Sequence, residues 1–244
     1  MLVREIHDYL DQLSPFESQE KWDNSGLIVG SMDQNFDELV ISLDLDEELL
    51  SKVKPNSLII THHPLIFSPL KTINFDSYAT KLLKILIKKD IALISMHTNI
   101  DKSHLNRYVA TQVLEFQDVR CEEFVCYADV NMSFEKLQQH VVNKLGLKAL
   151  KVTQKKDHVQ TVALTTGSGM SLIGQIQADC FLTGDIKYHD AMEAKSREIN
   201  LIDIGHHESE QHFTALLMGL IEKYLKKNQI KAIIANSQNP FDYK

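Results

Sequence analysis

Residues 58–67 read LIITHHPLIF, an apolar run that delivers two adjacent histidines and stops at a proline. An uninterrupted run of this kind suits a strand covered on both faces, as in a parallel sheet. Two further stretches repeat the pattern, IALISMHTNID at 91–101 and LIDIGHHESE at 201–210. Strand ends are where an open α/β sheet presents its chemistry. Adjacent parallel strands would bring the three ends together, and the side chains they carry read as one metal centre of binuclear type. His62, His63, His97, His104, His206, His207 and His212 all fall within or just after these runs.

Outward from these runs the chain reads as alternating helices and strands. Leu2, Ile6, Tyr9, Leu10 and Leu13 recur at helical spacing until Ser14-Pro15. WDNSGLIVG at 22–30 reads as a turn entering a short strand, ELVISLDL at 38–45 as a strand and DEELLSKV at 46–53 as a short helix. A helix over 78–89, carrying Leu82, Leu83, Leu86 and Ile87, leads into IALISMH, and another follows over 103–114. SFEKLQQHVVNKLGL at 133–147 is helical, with Ser133 placed to cap it. KVTQKKDHVQTVALTTGSG at 151–169 reads as two strands and a glycine turn. ADCFLTGD, AMEAKSREI and NLIDIGHH then repeat strand–helix–strand, the order of 58–97, and a long helix (209–226) and KAIIAN at 231–236 close the chain. Met170 and Met192 read as packing residues. The expected fold class is therefore α/β, with two similar α/β domains and mixed, largely parallel sheets. The domains expected are a discontinuous one over 1–125 and 206–244, carrying most of the metal ligands, and a second over 126–205.

Composition narrows the function classes. The chain has 244 residues, 43% hydrophobic and 24% charged, as a soluble domain does. A net charge of -7 speaks against general nucleic-acid binding, which needs clustered Lys and Arg. No run reaches the ~18 apolar residues needed to span a bilayer, and the first residues pattern as an amphipathic helix rather than a signal peptide. Cys121, Cys126 and Cys180 form an odd set without a CxxC pair, so no disulfide framework is expected and the reading is cytoplasmic.

Each candidate ligand has a plainer reading. In a regular strand, side chains of neighbours such as His62 and His63 point to opposite faces; Pro64 ends the ladder, and in the turn the imidazoles can converge. Alone, they read equally well as exposed loop histidines. Asp101 alone reads first as a helix N-cap or first-turn carboxylate. His206 and Glu210 are four apart and share a helix face, although Glu210 suits a first turn and Ser209 a cap. The same residue types at three separate strand ends favour a shared site. His97 is a further ligand or a group that orients one, and the candidate to move a proton. His207 reads as structural, Cys180 as core. Nitrogen and carboxylate ligands without thiolate suit zinc, iron, manganese, cobalt or nickel. TTGSG could hold an anion or simply form a tight turn, while TGDIKYHD places Asp185, Lys187 and His189 at another strand end, as contacts to ligands or substrate.

THHPLIF, SMHTNID and GHHESE, in this order with WDNSGLIVG upstream and TTGSG and TGDIKYHD between, resemble the NIF3-like family over nearly the whole chain. That family is also described as GTP cyclohydrolase 1 type 2 homologues, dinuclear metal proteins of the DUF34 group. The resemblance implies two metal ions on His62, His63, Asp101, His206 and Glu210, two related α/β domains and a ring-shaped homohexamer with its metal sites facing an inner cavity. Longer relatives carry an inserted domain, for which 117–151 is too short here. The implied chemistry is hydrolytic: two such ions would acidify a water, and a nucleotide-like small molecule would be its target. A metal-dependent phosphoesterase fits the same ligands. So does a non-catalytic ring that stores or delivers metal or binds a partner, and the residues leave open whether the chain is an enzyme.

Overall fold

In the computed structural model, which describes residues 1–244, the run at 58–67 supplies a strand, Ser57–Thr61, with every residue buried. The chain divides into two units, Met1–Ile100 with Phe213–Gln238, and Asp101–His212 with Asn239–Lys244. These boundaries fall at 100/101 and 212/213, whereas the sequence suggested 125/126 and 205/206. The stretches 101–125 and 206–212 belong with the second unit, taking Asp101, His206 and Glu210 with them, so the second unit rather than the discontinuous first carries most of the candidate ligands.

The first unit is built on strands β1 (Gly26–Val29), β2 (Glu38–Ser42), β3 (Ser57–Thr61) and β4 (Ala92–Ser95), with a C-terminal strand Lys231–Ile234. Their order is β1-β4-β3-β2 and then the C-terminal strand, all parallel except β1. Parallel neighbours on both sides and helices over the sheet explain why β3 is apolar throughout. The register pairs Thr61 with Ser95, so β3 and β4 end level, and their hydroxyls meet at 3.0 Å. Because β1 runs antiparallel, with Gly26 opposite Ser95, the segment before it arrives at those same strand ends. Helix Tyr78–Lys88 buries Leu82 and Leu86 against Ile59 and Leu93 in one cluster. Ile87, read as part of the apolar stripe, faces solvent instead.

The second unit carries β5 (Arg120–Glu122), β6 (Val125–Ser133), β7 (Lys151–Thr153), β8 (His158–Leu164), β9 (Cys180–Thr183) and β10 (Asn200–Asp203). They lie in the order β5-β6-β8-β9-β10-β7, parallel for β8-β9 and β9-β10 and antiparallel elsewhere. The run at 201–210 therefore belongs to a different sheet from the other two. Adjacency within one sheet brings together only the ends of β3 and β4. Ser133 caps helix Phe134–Leu145 as expected, its Oγ accepting from the Lys136 N–H at 3.3 Å. Phe181 and Leu201, fully buried, centre this unit's core with Met170, but Met192 is exposed rather than packed. Contrary to the expectation of no disulfide, Cys121 and Cys126 are bonded across the β5–β6 hairpin. Its antiparallel register sets them directly opposite one another, which spacing rules such as CxxC do not capture.

Candidate metal centre

Past Thr61, the N–H groups of His62 and His63 both donate to the same carbonyl, that of Leu43, at 3.1 and 3.3 Å. Two successive donors on one acceptor mean the pleat has ended. Consecutive side chains are thereby released from opposite faces, and the ring centroids of His62 and His63 lie 4.9 Å apart. His97, two residues past β4, joins them, at 5.1 Å from His62 and 5.5 Å from His63. One ring nitrogen from each of His62, His63 and His97 falls within 4.8 Å of the other two.

Each ring is held by Nδ1. His62 Nδ1 donates to the Met96 carbonyl at 2.9 Å. A carbonyl only accepts, so the proton sits on Nδ1 and the lone pair on Nε2. His63 Nδ1 pairs with Asp44 Oδ1 at 2.7 Å, and His97 Nδ1 with Asp23 Oδ1 at 2.8 Å. Backing of this kind sets tautomer and ring direction in metal-ligating histidines. Burial opposes charge on Asp44, but the His63 ring and the Ser237 hydroxyl outweigh it and keep the carboxyl below its ordinary pKa. At Asp23 burial is again opposed, by His97, Thr98 and the Asn24 N–H, which hold it well below the usual carboxylate range. Sequence reading missed both aspartates. Asp23 stood in the WDNSG stretch, read only as a turn, and Asp44 in a strand's polar end.

In the second unit the level ends of β9 and β10 set Gly184-Asp185 beside Gly205-His206, with the Ile204 N–H donating to the Thr183 carbonyl at 3.0 Å. Helix His206–Glu210 begins here, with Gly205 at its N-cap. His206 Nε2 meets Glu210 Oε2 at 2.9 Å, and His206 Nδ1 meets Asp185 Oδ2 at 2.7 Å. Burial would lower the His206 pKa, but carboxylates at both nitrogens raise it to about 9. The ring thus holds a proton on the Glu210 side, where a divalent cation would do the same electrostatic work. Ser209 is no cap: its hydroxyl donates to the carbonyls of Gly205 and His206 at 2.7 and 2.9 Å.

TTGSG forms the shelf behind Glu210 and not an anion cradle. The Gly167 N–H donates to Ser209 Oγ at 3.0 Å and the Gly169 N–H to Thr183 Oγ1 at 2.8 Å, so both donors serve the fold. Gly167 has φ +60°, and a Cβ there would lie 1.9 Å from Glu210 Oε1. Asp101 opens a π-helical turn, Asp101–Leu105, a local irregularity often found at functional sites. Asn106, unremarked in the sequence, donates from Nδ2 to the Asp101 carbonyl at 3.1 Å. Its Oδ1 accepts from the Thr166 N–H and hydroxyl at 2.7 and 2.9 Å, tying the turn to the shelf.

Of the remaining candidates, Asp185 backs His206, as above. Lys187 and His189 are exposed around the start of helix Tyr188–Ser196, where the Lys187 N–H donates to Asp190 Oδ2 at 3.1 Å. His104 bonds the neighbouring Ser103 hydroxyl at 2.8 Å, and burial lowers its pKa. Cys180 is fully buried, and burial pushes its thiol far above the usual value, which keeps it a core residue. The donors are imidazole nitrogens in the first unit and an imidazole with a carboxylate in the second, chemistry that fits divalent ions of the zinc, iron and manganese type.

A relative from Campylobacter jejuni named GTP cyclohydrolase 1 type 2 homolog is 47% identical over 245 residues, covering 100% of both chains. One from Helicobacter pylori named GTP cyclohydrolase 1 type 2 is 41% identical, covering 98% of each. A Staphylococcus aureus hypothetical protein of known crystal structure superposes with a TM-score of 0.89 at 26% identity, over 100% of this chain and 99% of the other. A Bacillus cereus protein related to NIF3 also reaches 0.89, at 20% identity and with the same coverage, a likeness of fold. No helix is long and apolar enough to cross a membrane. Residues 1–240 match the model of one family, and the chain belongs to it: Duf34/NIF3 (NGG1p interacting factor 3).

Proposed function

We propose that His62, His63, Asp101, His206 and Glu210 are the ligands of two divalent metal ions in a hydrolase-like protein acting on a nucleotide-like substrate. The observation that carries this reading is the backing of the imidazoles. His62, His63 and His206 are each fixed through Nδ1 to a carbonyl or carboxylate, which turns Nε2 into the donor nitrogen. Two bound ions would supply an acidified water and charge stabilisation for the bond being broken. Glu210 has two oxygens to share between cations, and its shelf at Gly167 holds it in place. His97 keeps Asp23 on Nδ1 and is the residue to accept and return a proton, because that carboxylate holds the ring in place beside His62 and His63. The names of the relatives point to hydrolytic opening of a guanine ring. Assembly as a homohexamer, with no membrane or general nucleic-acid partner, completes the proposal.

The test is metal analysis of the purified protein and its Glu210→Gln variant, followed by chromatography of GTP incubated with each after manganese or zinc is added. Metal in the wild type, at least one ion fewer in the variant, and GTP consumption by the wild type alone are expected. Equal metal in both would remove Glu210 as a ligand. Full metal occupancy with GTP and phosphodiesters both untouched would turn the reading to a metal-binding protein without turnover.

A further inference from the structure

Next to the histidines of the first unit lies an aromatic pair that no part of the metal chemistry requires. Trp22 is 56% exposed and Phe67 47% exposed, and their ring centroids are 5.4 Å apart. Both reach the same imidazole edge-on, Trp22 at 6.1 Å and Phe67 at 5.9 Å from His97. The loop beneath is firmly built: Asp23 binds His97 and Thr98, and Asn24 Nδ2 donates to the Ile66 carbonyl at 2.5 Å. Asn24 therefore fastens the segment bearing Trp22 to the segment bearing Phe67. Large aromatic faces left in water on a rigid support are costly unless something covers them. Their position beside the candidate proton-handling residue points to a substrate group rather than to distant packing.

We propose that Trp22 and Phe67 form a platform on which a planar heteroaromatic ring of purine size stacks, presenting its edge to His97. This specificity-determining role deepens the reading of the site as one that takes a nucleotide-like substrate, and rests on that reading. Stacking is indifferent to hydrogen-bond pattern because every base has a π face, so these residues select for a flat ring rather than for one particular base.

Trp22 is the chain's one tryptophan, so its emission reports on the platform directly. GTP titrated into the wild-type protein is expected to quench that emission saturably, while inorganic tripolyphosphate, the same charge without a ring, leaves it unchanged. Phe67→Ala should weaken GTP binding severalfold. Trp22→Ala, followed by equilibrium dialysis, should weaken it by about tenfold or more, with Trp22→Phe recovering most of the loss. The proposal is overturned if Trp22→Ala binds GTP as the wild type does, or if none of GTP, ATP and flavin mononucleotide quenches the emission. A Trp22→Ala variant altered only in oligomeric state would assign the surface to a second copy of the chain, which also overturns it. Metal content is measured on the same samples. Quenching without bound metal would sink the metal reading and leave the platform standing, and bound metal with indifferent aromatic variants would do the reverse.

Discussion

Asp185 Oδ2 and His206 Nδ1 stand 2.7 Å apart, on the far side of the imidazole from Glu210. The Asp185 side chain is 49% exposed, so its contribution to stability is small while its hold on the ring is direct. Asp185→Asn is expected to keep the melting temperature close to that of the wild type and to weaken metal binding by roughly 10- to 100-fold. Equilibrium dialysis against zinc measures this, and unchanged affinity would dismiss Asp185 as the residue that aims His206.

Two glycines with left-handed backbone separate strain from site geometry. Gly146 has φ +66° with nothing near a would-be Cβ, whereas Gly167 has φ +60° with Glu210 Oε1 at 1.9 Å. Ala at either position costs about 1–2 kcal/mol from the backbone alone. Only Gly167→Ala should also displace the carboxylate and lose metal. Chemical denaturation and metal analysis of both variants check the contrast, and metal loss in neither would remove the shelf from the argument.

Acid should loosen the second unit through Asp179. Its Oδ1 pairs with Lys156 Nζ at 2.6 Å, and its Oδ2 accepts from the N–H groups of Gln160 and Thr161 at 2.9 and 3.2 Å. Burial resists the charge, but these partners outweigh it and lower the pKa from its ordinary 3.8. A carboxyl depressed on folding stabilises above its unfolded pKa, and that contribution disappears as pH falls through the folded value. Asp179→Asn should therefore cost about 1–3 kcal/mol at neutral pH and little at pH values well below 3.8. Urea melts at the two pH values test it; an equal penalty at both would contradict the assignment.

The Cys121–Cys126 bridge closes a short loop, with a sequence separation of 5. Chain entropy assigns such a loop roughly 2 kcal/mol. A reductant, or the Cys121→Ser and Cys126→Ser pair of changes, should lower the melting temperature by a few degrees without altering bound metal. Metal lost on reduction would connect the hairpin to the site in a way its position does not suggest.

The apolar runs declared themselves because parallel strands are buried on both faces, and so β3, β4, β9 and β10 were legible as strands ending in ligand-type residues. Their grouping was not. Which sheet a strand joins depends on long-range pairing, and residues 201–203 read like 58–61 although they lie in different sheets. The backing residues escaped for a related reason. Asp23 reaches His97 only because β1 runs antiparallel and delivers its leading loop to the ends of its neighbours, a direction no local pattern encodes. Asp44 and Asn106 look like ordinary polar residues until the turn that each supports is seen. His62 and His63 were the opposite case: Pro64 announced the end of the pleat, and with it the freedom of both rings to turn one way.

The Lys231–Ile234 strand completes a sheet whose other members all lie within the first hundred residues, pairing Lys231 with Glu38 at a separation of 193 residues. Tyr224, whose hydroxyl bonds the Glu5 carbonyl at 2.9 Å and whose ring stacks on Tyr9, arrives equally late. On a translating ribosome the opening hundred residues therefore leave one sheet edge bare while the intervening segment emerges. Nascent molecules stalled before residue 213 would expose that bare edge, and would be the ones most in need of a chaperone.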